Sequence, residues 1–192
     1  IAITVREGDE LLEAVMTNGH SEILLAGRKG RCCRFDETDA RALGRTASGV
    51  RGINIDDDDE VIGMIAYDPT AEDAQAHSLL VVSENGYGKR SDFDEYRKTN
   101  RGGKGVKTLN ITDKTGSLVA MKNVTDENDL MIINRSGITI RMAVSDIKVA
   151  GRATQGVRLI NIKDGDSIAA ISAVNKSDEE QADPQSDTQI AE

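Results

Sequence analysis

Short apolar runs separated by polar, glycine-punctuated stretches set the rhythm of this chain. Three of them, Ile23-Leu24-Leu25, Leu79-Leu80-Val81-Val82 and Leu130-Met131-Ile132-Ile133, lead to a glycine (Gly30, Gly86, Gly137) and then to an arginine four residues on (Arg34, Arg90, Arg141). A second phrase follows each time: Gly49-Val50-Arg51-Gly52-Ile53-Asn54-Ile55, then Gly105-Val106-Lys107-Thr108-Leu109-Asn110-Ile111, then Gly156-Val157-Arg158-Leu159-Ile160-Asn161-Ile162. The first glycine precedes the second by 19 residues in all three copies, and the copies are offset by 56 and 51 residues. A fixed internal spacing held three times marks a structural repeat.

Within a unit the pattern predicts strands. Residues 79–82, 87–90, 106–111 and 118–121 are short, rich in β-branched side chains and bounded by Gly, Asn and Asp. Asn85-Gly86 and Lys29-Gly30 sit between paired runs as hairpin turns do. Residues 36–42, 93–96 and 144–147 suit a helical turn at most. About four strands per unit predicts an all-β, propeller-like array of four-stranded blades, each stable only against its neighbours. The units are placed at 21–68, 77–124 and 128–175. Residues 1–16 are expected to supply the closing strands of a preceding blade, because Val5 to Leu12 matches Ile55 to Ile62 and Ile162 to Ala169. Residues 68–76 read as a surface loop. Residues 177–192 hold six acids, no Lys or Arg and one large apolar residue, Ile190; this tail is expected to be disordered.

Composition narrows the function. Aromatic residues make up only 3%, so the core must be aliphatic. There is no apolar run of membrane-spanning length. Cys32 and Cys33 are adjacent on a predicted strand, face opposite ways, and fit a reducing cytoplasm better than a disulfide. The net charge of −9 argues at first against nucleic acid, but the tail accounts for −6 of it. Of the 24 Lys and Arg, 20 fall in windows 28–52, 86–107 and 135–163, equivalent places in the three units. A phosphate responds to charge within about 10 Å at physiological salt, so this clustering outweighs the total.

The densest cluster surrounds Arg101-Gly102-Gly103-Lys104-Gly105. A glycine turn there can present backbone amides to an anion, with Arg and Lys adding charge-assisted contacts. No other chemistry competes. Asp56-Asp57-Asp58-Asp59-Glu60 aligns with hairpin turns and lacks calcium-loop spacing. His20, His77 and the cysteines lack zinc-ligand spacing. Gly102 to Gly105 does not meet the P-loop pattern. No nucleophile–base pair stands out.

The phrases Gly44-Arg45-Thr46-Ala47-Ser48-Gly49-Val50-Arg51-Gly52, Glu84-Asn85-Gly86-Tyr87-Gly88-Lys89-Arg90, Asn100 to Gly105 and Thr154-Gln155-Gly156-Val157-Arg158-Leu159-Ile160 resemble the last three blades of the C-terminal β-pinwheel domain of the bacterial DNA gyrase A protein, in the type IIA topoisomerase family. The likeness runs from residue 1 to about 175. That family's hallmark box, Gln-Arg-Arg-Gly-Gly-Lys-Gly, keeps its last five positions in Thr99 to Gly105 and departs at the first two. The resemblance implies sequence-nonspecific binding and wrapping of double-stranded DNA, in support of ATP-dependent negative supercoiling. Its implied partners are the rest of the gyrase A protein together with the gyrase B protein, in the cytoplasm, with no membrane and no small-molecule substrate. ATP, Mg²⁺ and the catalytic tyrosine belong elsewhere in the parent enzyme, so Tyr67, Tyr87 and Tyr96 carry no such role. The residues expected to meet DNA are Arg34, Arg45, Arg51, Lys89, Arg90, Arg97, Lys98, Arg101, Lys104, Lys107, Arg141, Arg152 and Arg158. Two alternatives stand beside this reading: the matching domain of the A-type protein of topoisomerase IV, and a propeller-like protein-interaction module.

Overall fold

The computed structural model describes residues 2–163 and 165–176. The eleven strands are β1 (Glu22–Gly27), β2 (Arg31–Asp36), β3 (Val61–Tyr67), β4 (Ser78–Ser83), β5 (Tyr87–Ser91), β6 (Val106–Lys107), β7 (Leu118–Val124), β8 (Asn128–Asn134), β9 (Thr139–Ala143), β10 (Val157–Arg158) and β11 (Ile168–Asn175). Single 3-10 turns lie at Glu37–Asp39, Ala74–Ala76, Phe93–Glu95 and Val144–Asp146. The fold is all-β.

Three antiparallel sheets form, ordered β3-β1-β2-β6, β10-β5-β4-β7 and β11-β8-β9. Tight hairpins join β1 to β2, β4 to β5 and β8 to β9, and the last strand of each repeat returns to the far side of the first. The fourth strand of each complete sheet comes from the following repeat. β6 pairs with β2, and β10 pairs with β5. Repeats and blades are therefore out of phase, and the third sheet has three strands rather than the expected four. Long-range pairing between repeats leaves no local mark in the sequence.

Period-2 alternation builds the core between blades. Every residue of β4 is buried. Leu79 and Val81 face one cluster with Leu24, Ala26 and Leu118, whereas Leu80 and Val82 face a second with Leu130, Ile132 and Ile168. The middle blade is thus packed on both faces. Cys32 and Cys33, both free thiols, divide likewise between the first cluster and a third around Phe35 and Ile53.

The recurring glycines belong to these seams. A Cβ on Gly105 would lie 2.3 Å from the Cys32 carbonyl oxygen, and one on Gly156 would lie 2.4 Å from that of Gly88. Both sit at positive φ, 67° and 76°. Gly30 and Gly86 receive the same neighbours from the other side: a Cβ there would meet the carbonyl oxygens of Leu109 at 2.8 Å and Ile160 at 2.6 Å. No side chain fits between backbones this close.

The closing strands expected in residues 1–16 are not observed; residues 2–20 contain no strand. The segment nonetheless occupies a periodic position. Thr4 N–H donates to Ala47 O at 3.1 Å, as Asn54 donates to Gly103 at 2.9 Å and Asn110 to Thr154 at 3.1 Å. The reading of 177–192 as disordered lies outside the described residues.

Candidate nucleic-acid interface

The cations divide by depth. Arg34 and Arg90 are buried, at 8% and 7% exposure. The Arg34 guanidinium pairs with buried Glu22, donates to the carbonyls of Phe93 and Tyr96 (3.0 Å to the latter), and lies 5.7 Å from the Tyr67 ring centre. Arg90 repeats the arrangement one blade on, donating to Ile147 O at 2.8 Å and pairing with Asp126. Each ties a blade to the turn of the next. Arg141, third of the set, is paired to Asp129 at 2.7 Å on its own blade.

Lys89 is 1% exposed, its ammonium donating to Gly151 O at 2.6 Å and Ser91 Oγ at 3.4 Å. Burial lowers its pKa to about 8; Glu95 opposes the shift and Arg152 adds to it. Arg34, Arg90 and Lys89 therefore leave the set of residues expected to meet DNA. Their charges are spent inside the seams.

Arg101 and Arg152 are half-buried and make one bond in common. Arg101 Nη1 donates to Arg51 O, and Arg152 Nη1 to Lys107 O at 2.9 Å. Arg51 and Lys107 are equivalent positions, so each seam brings two cations together. Arg101 also donates to Asp39 O at 2.9 Å. Lys98 is exposed but sits 3.0 Å from Glu22 and 3.4 Å from Asp36, and the bond to Glu22 raises its pKa.

Arg45, Arg51, Arg97, Lys104, Lys107 and Arg158 are exposed. Lys107 Nζ donates to Asn110 Oδ1 at 3.3 Å, and Arg158 Nη1 to Asn161 Oδ1 at 3.1 Å. These asparagine contacts orient the cations without neutralising them. The glycine turn does not form the open amide nest anticipated. Gly102 N–H donates to Gly52 O at 2.8 Å, Gly103 O accepts from Asn54 N–H at 2.9 Å, and Arg31 binds the carbonyls of Lys104 and Gly105 at 2.9 and 2.8 Å. Its polar groups hold the seam, and the exposed Lys104 side chain is what it offers to solvent.

Tyr87, one position after the hairpin glycine Gly86, is a functional candidate that the charge clusters do not single out. Arg158 and Lys114 each lie 5.4 Å from the Tyr87 ring centre, and Arg158 Nη2 donates to the phenol oxygen at 2.7 Å. With Lys163 they line a concave pocket of about 360 Å³. The signal available was positional: Tyr87 falls at the step of the repeat that Arg31 occupies one unit earlier. Among the described residues no cluster of three potential metal ligands occurs, and no helix is long and apolar enough to cross a membrane.

Seams closed by strands lent from the next repeat, with a cation pair at each, define a blade array of the pinwheel class. The profile of the family described as "DNA gyrase C-terminal domain, beta-propeller" matches residues 21–68, 77–125 and 128–175, and the chain belongs to this family. It is 45% identical over 179 residues to the DNA gyrase A protein of Staphylococcus epidermidis, covering 93% of this chain and 20% of that protein. It is 43% identical over 194 residues to the DNA gyrase A protein of Staphylococcus aureus (strain NCTC 8325), covering all of this chain and 21% of that one. The chain thus spans about a fifth of these relatives' length. Two solved structures share the fold: the C-terminal domain of DNA topoisomerase IV (TM-score 0.82, 20% identity, 91% of this chain and 53% of that one) and the DNA gyrase A C-terminal domain (TM-score 0.79, 23% identity, 90% and 57%).

Proposed function

We propose that this chain binds duplex DNA without sequence preference and wraps it, as part of a gyrase A protein. The observation that carries the reading is the periodic set of exposed cations. Arg51, Lys107 and Arg158 occupy the same position of successive repeats, beside Arg45, Arg97, Lys104 and the half-buried Arg101 and Arg152. Binding at phosphates alone needs this and no base-reading groups. Bending a site of 20–30 bp by 40–90° costs on the order of 1–6 kcal/mol, so a wrapping surface needs clamps repeated around a curve. A blade array supplies them by repetition.

In this proposal the chain has no catalytic site of its own. Strand cleavage, ATP and Mg²⁺ are handled by the rest of the gyrase A protein and by the gyrase B protein, in the cytoplasm, and the wrap presents a DNA segment for passage that adds negative supercoils. Relatives named as the A component of DNA gyrase, at 43–45% identity, favour gyrase over topoisomerase IV. The test is a gel-shift titration of the chain with a long duplex, an unrelated long duplex and a short one, at several salt concentrations. Similar affinity for both long duplexes, weaker binding to the short one and a steep loss with salt are expected. Binding that ignores salt and length would replace this reading with the protein-interaction module.

A further inference from the structure

The pocket beside Tyr87 carries polar groups that closing the seam does not use. Its walls come from both sides of the β5–β10 seam. Asn85 and Tyr87 lie on the β4–β5 hairpin, Lys114 on the turn before β7, and Arg158, Lys163 and Asp166 in the third repeat. Asn85 Nδ2 donates to the carbonyls of Asp113 and Lys114, at 3.2 and 3.3 Å, and so fixes the turn that carries Lys114. Tyr87 is 5% exposed, whereas Lys114, Arg158 and Lys163 are exposed around it.

The Tyr87 phenol oxygen accepts Nε and Nη2 of Arg158, at 3.2 and 2.7 Å, and its own hydrogen has no acceptor among the described residues. With Nη1 on Asn161, Arg158 has committed three of its five N–H groups and leaves two free. Neither the Lys114 nor the Lys163 ammonium has an ion pair or a hydrogen bond among the described residues. The lining carboxylate, Asp166, is taken elsewhere: it accepts the Ser136 hydroxyl and the Ser167 amide, each at 2.8 Å. Three cations against one carboxylate leave the described lining positive. The ring itself is buried, with Arg158 and Lys114 each 5.4 Å from its centre, so a base cannot stack on it. What the pocket offers is an O–H and positive charge. The corresponding places at the first seam hold Lys29, Arg31, Asp58 and Lys107. There Lys29 is paired with Asp58, and Arg31 binds the carbonyls of Lys104 and Gly105. Those two cations are spent on the chain, and the lysines around Tyr87 are not.

We infer that this pocket is a phosphate-binding site. The Tyr87 hydroxyl and the free Arg158 N–H groups hold oxygens of one phosphate, and Lys114 and Lys163 close on it from the mouth. Phosphate oxygens take charge-assisted bonds from such a set, and the guanidinium is held in place beforehand by the phenol and Asn161. The phosphate can come from the backbone of a duplex or from a free polyphosphate. As a duplex contact the site rests on the DNA reading above and pins one phosphate at the second seam. As a site for a free anion it stands without that reading.

Two titrations test it, and they separate the sources. Inorganic pyrophosphate is added to the isotope-labelled chain while amide and arginine Nε resonances are followed, and a long duplex is titrated by gel shift at several salt concentrations. Pyrophosphate should move the resonances of Tyr87, Lys114, Arg158 and Lys163 together, with one affinity. Tyr87→Phe keeps the ring and loses the hydroxyl, and should weaken that affinity about tenfold, the worth of a hydrogen bond to a charged group. Lys114→Gln with Lys163→Gln alters only exposed side chains, so it gives a reading even where Tyr87→Phe disturbs the seam. This pair should weaken pyrophosphate binding and lower the slope of log duplex affinity against log salt by about one unit. Lys29→Gln, the paired lysine of the first seam, should change neither. A response confined to duplex assigns the site to backbone phosphate, and one confined to pyrophosphate assigns it to free phosphate groups. A chain that does not bind duplex at all defeats the DNA reading and leaves the pyrophosphate titration to decide the site. Folded variants that bind both pyrophosphate and duplex as the unaltered chain does would overturn the inference and leave the DNA reading standing.

Discussion

Gly105→Ala separates the two explanations for the recurring glycines, a flexible anion-binding turn or a backbone-to-backbone seam. The added Cβ would sit 2.3 Å from the Cys32 carbonyl oxygen and 2.9 Å from the Cys33 nitrogen, and neither can yield without parting β6 from β2. Two costs combine. An L-residue held at φ of 67° loses roughly 1–2 kcal/mol, and overpacking against fixed backbone adds roughly 1–3 kcal/mol. The expected loss is about 2–5 kcal/mol. Gly49→Ala is the internal control, since it has the same sign of φ and nothing within 4 Å. It should cost only the conformational part, about 1–2 kcal/mol. Urea unfolding of both reads the difference as a shift in midpoint. Equal losses for the two alanines would refute the seam explanation.

Arg34→Met should cost about 3–5 kcal/mol, because Glu22 is left buried with only the exposed Lys98 beside it; urea unfolding of this variant and of the Glu22→Leu, Arg34→Met pair should show the double variant less destabilised than the single. Lys89 makes a prediction in pH. Its folded pKa, about 8, lies below the unfolded value of 10.5, so the unfolded chain binds the extra proton between them. Stability should therefore rise as pH goes from about 8 to 10.5, by up to about 3 kcal/mol, and Lys89→Met should abolish the rise in a pH series of thermal melts. At the acid end, hydrogen bonds from Thr38, Thr70 and Ser136 hold Asp36, Asp68 and Asp166 below the usual carboxylate range. Stability present above the ordinary aspartate pKa should be lost as pH falls through the lowered values, and Thr70→Val should reduce its share of that loss in acid titrations followed by circular dichroism.

The repeat, its hairpin strands and three of its four helical turns were legible because each rests on local pattern. The strand expected over 106–111 shrinks to Val106–Lys107, its counterpart at 50–55 is no strand, and the turn at Ala74–Ala76 falls in the stretch read as a surface loop. Leu79 to Val82 reads as a strand from four residues, and the 3-10 turns fall in short polar runs just past a strand or loop. What could not be read was which repeat completes which sheet. Val106 and Lys107 carry no sign that their partner is β2 rather than β5, since seam pairing is set by the packing of whole blades. The same gap misassigned Arg34, Arg90 and Lys89. An arginine bonded to the next blade's carbonyls and one facing solvent are the same letter, and only the seam distinguishes them. The glycine turn differs from expectation for a related reason. Gly102 and Gly105 do have special backbone, both at positive φ, but the Gly102 amide is taken by Gly52 O and Gly105 is pressed against Cys32 O, so neither faces an anion. Exposed Lys104, Lys107 and Arg158 were visible from the charge clusters because periodic surface charge needs no partner to be recognised.

If exposed, periodic cations carry binding to duplex DNA, and the buried arginines of similar sequence position do not, the salt dependence of binding must report it. The comparison is between the unaltered chain and Arg97→Glu, Lys104→Glu, Lys107→Glu combined, each titrated against one long duplex. All three side chains are exposed, none pairs with an acid among the described residues, and replacing them leaves the seam bonds in place. The slope of log affinity against log salt should fall by about one unit per lost phosphate contact, up to about three, with affinity lowered at every salt concentration. An unchanged slope and affinity in the folded triple variant would mean that these cations do not meet DNA.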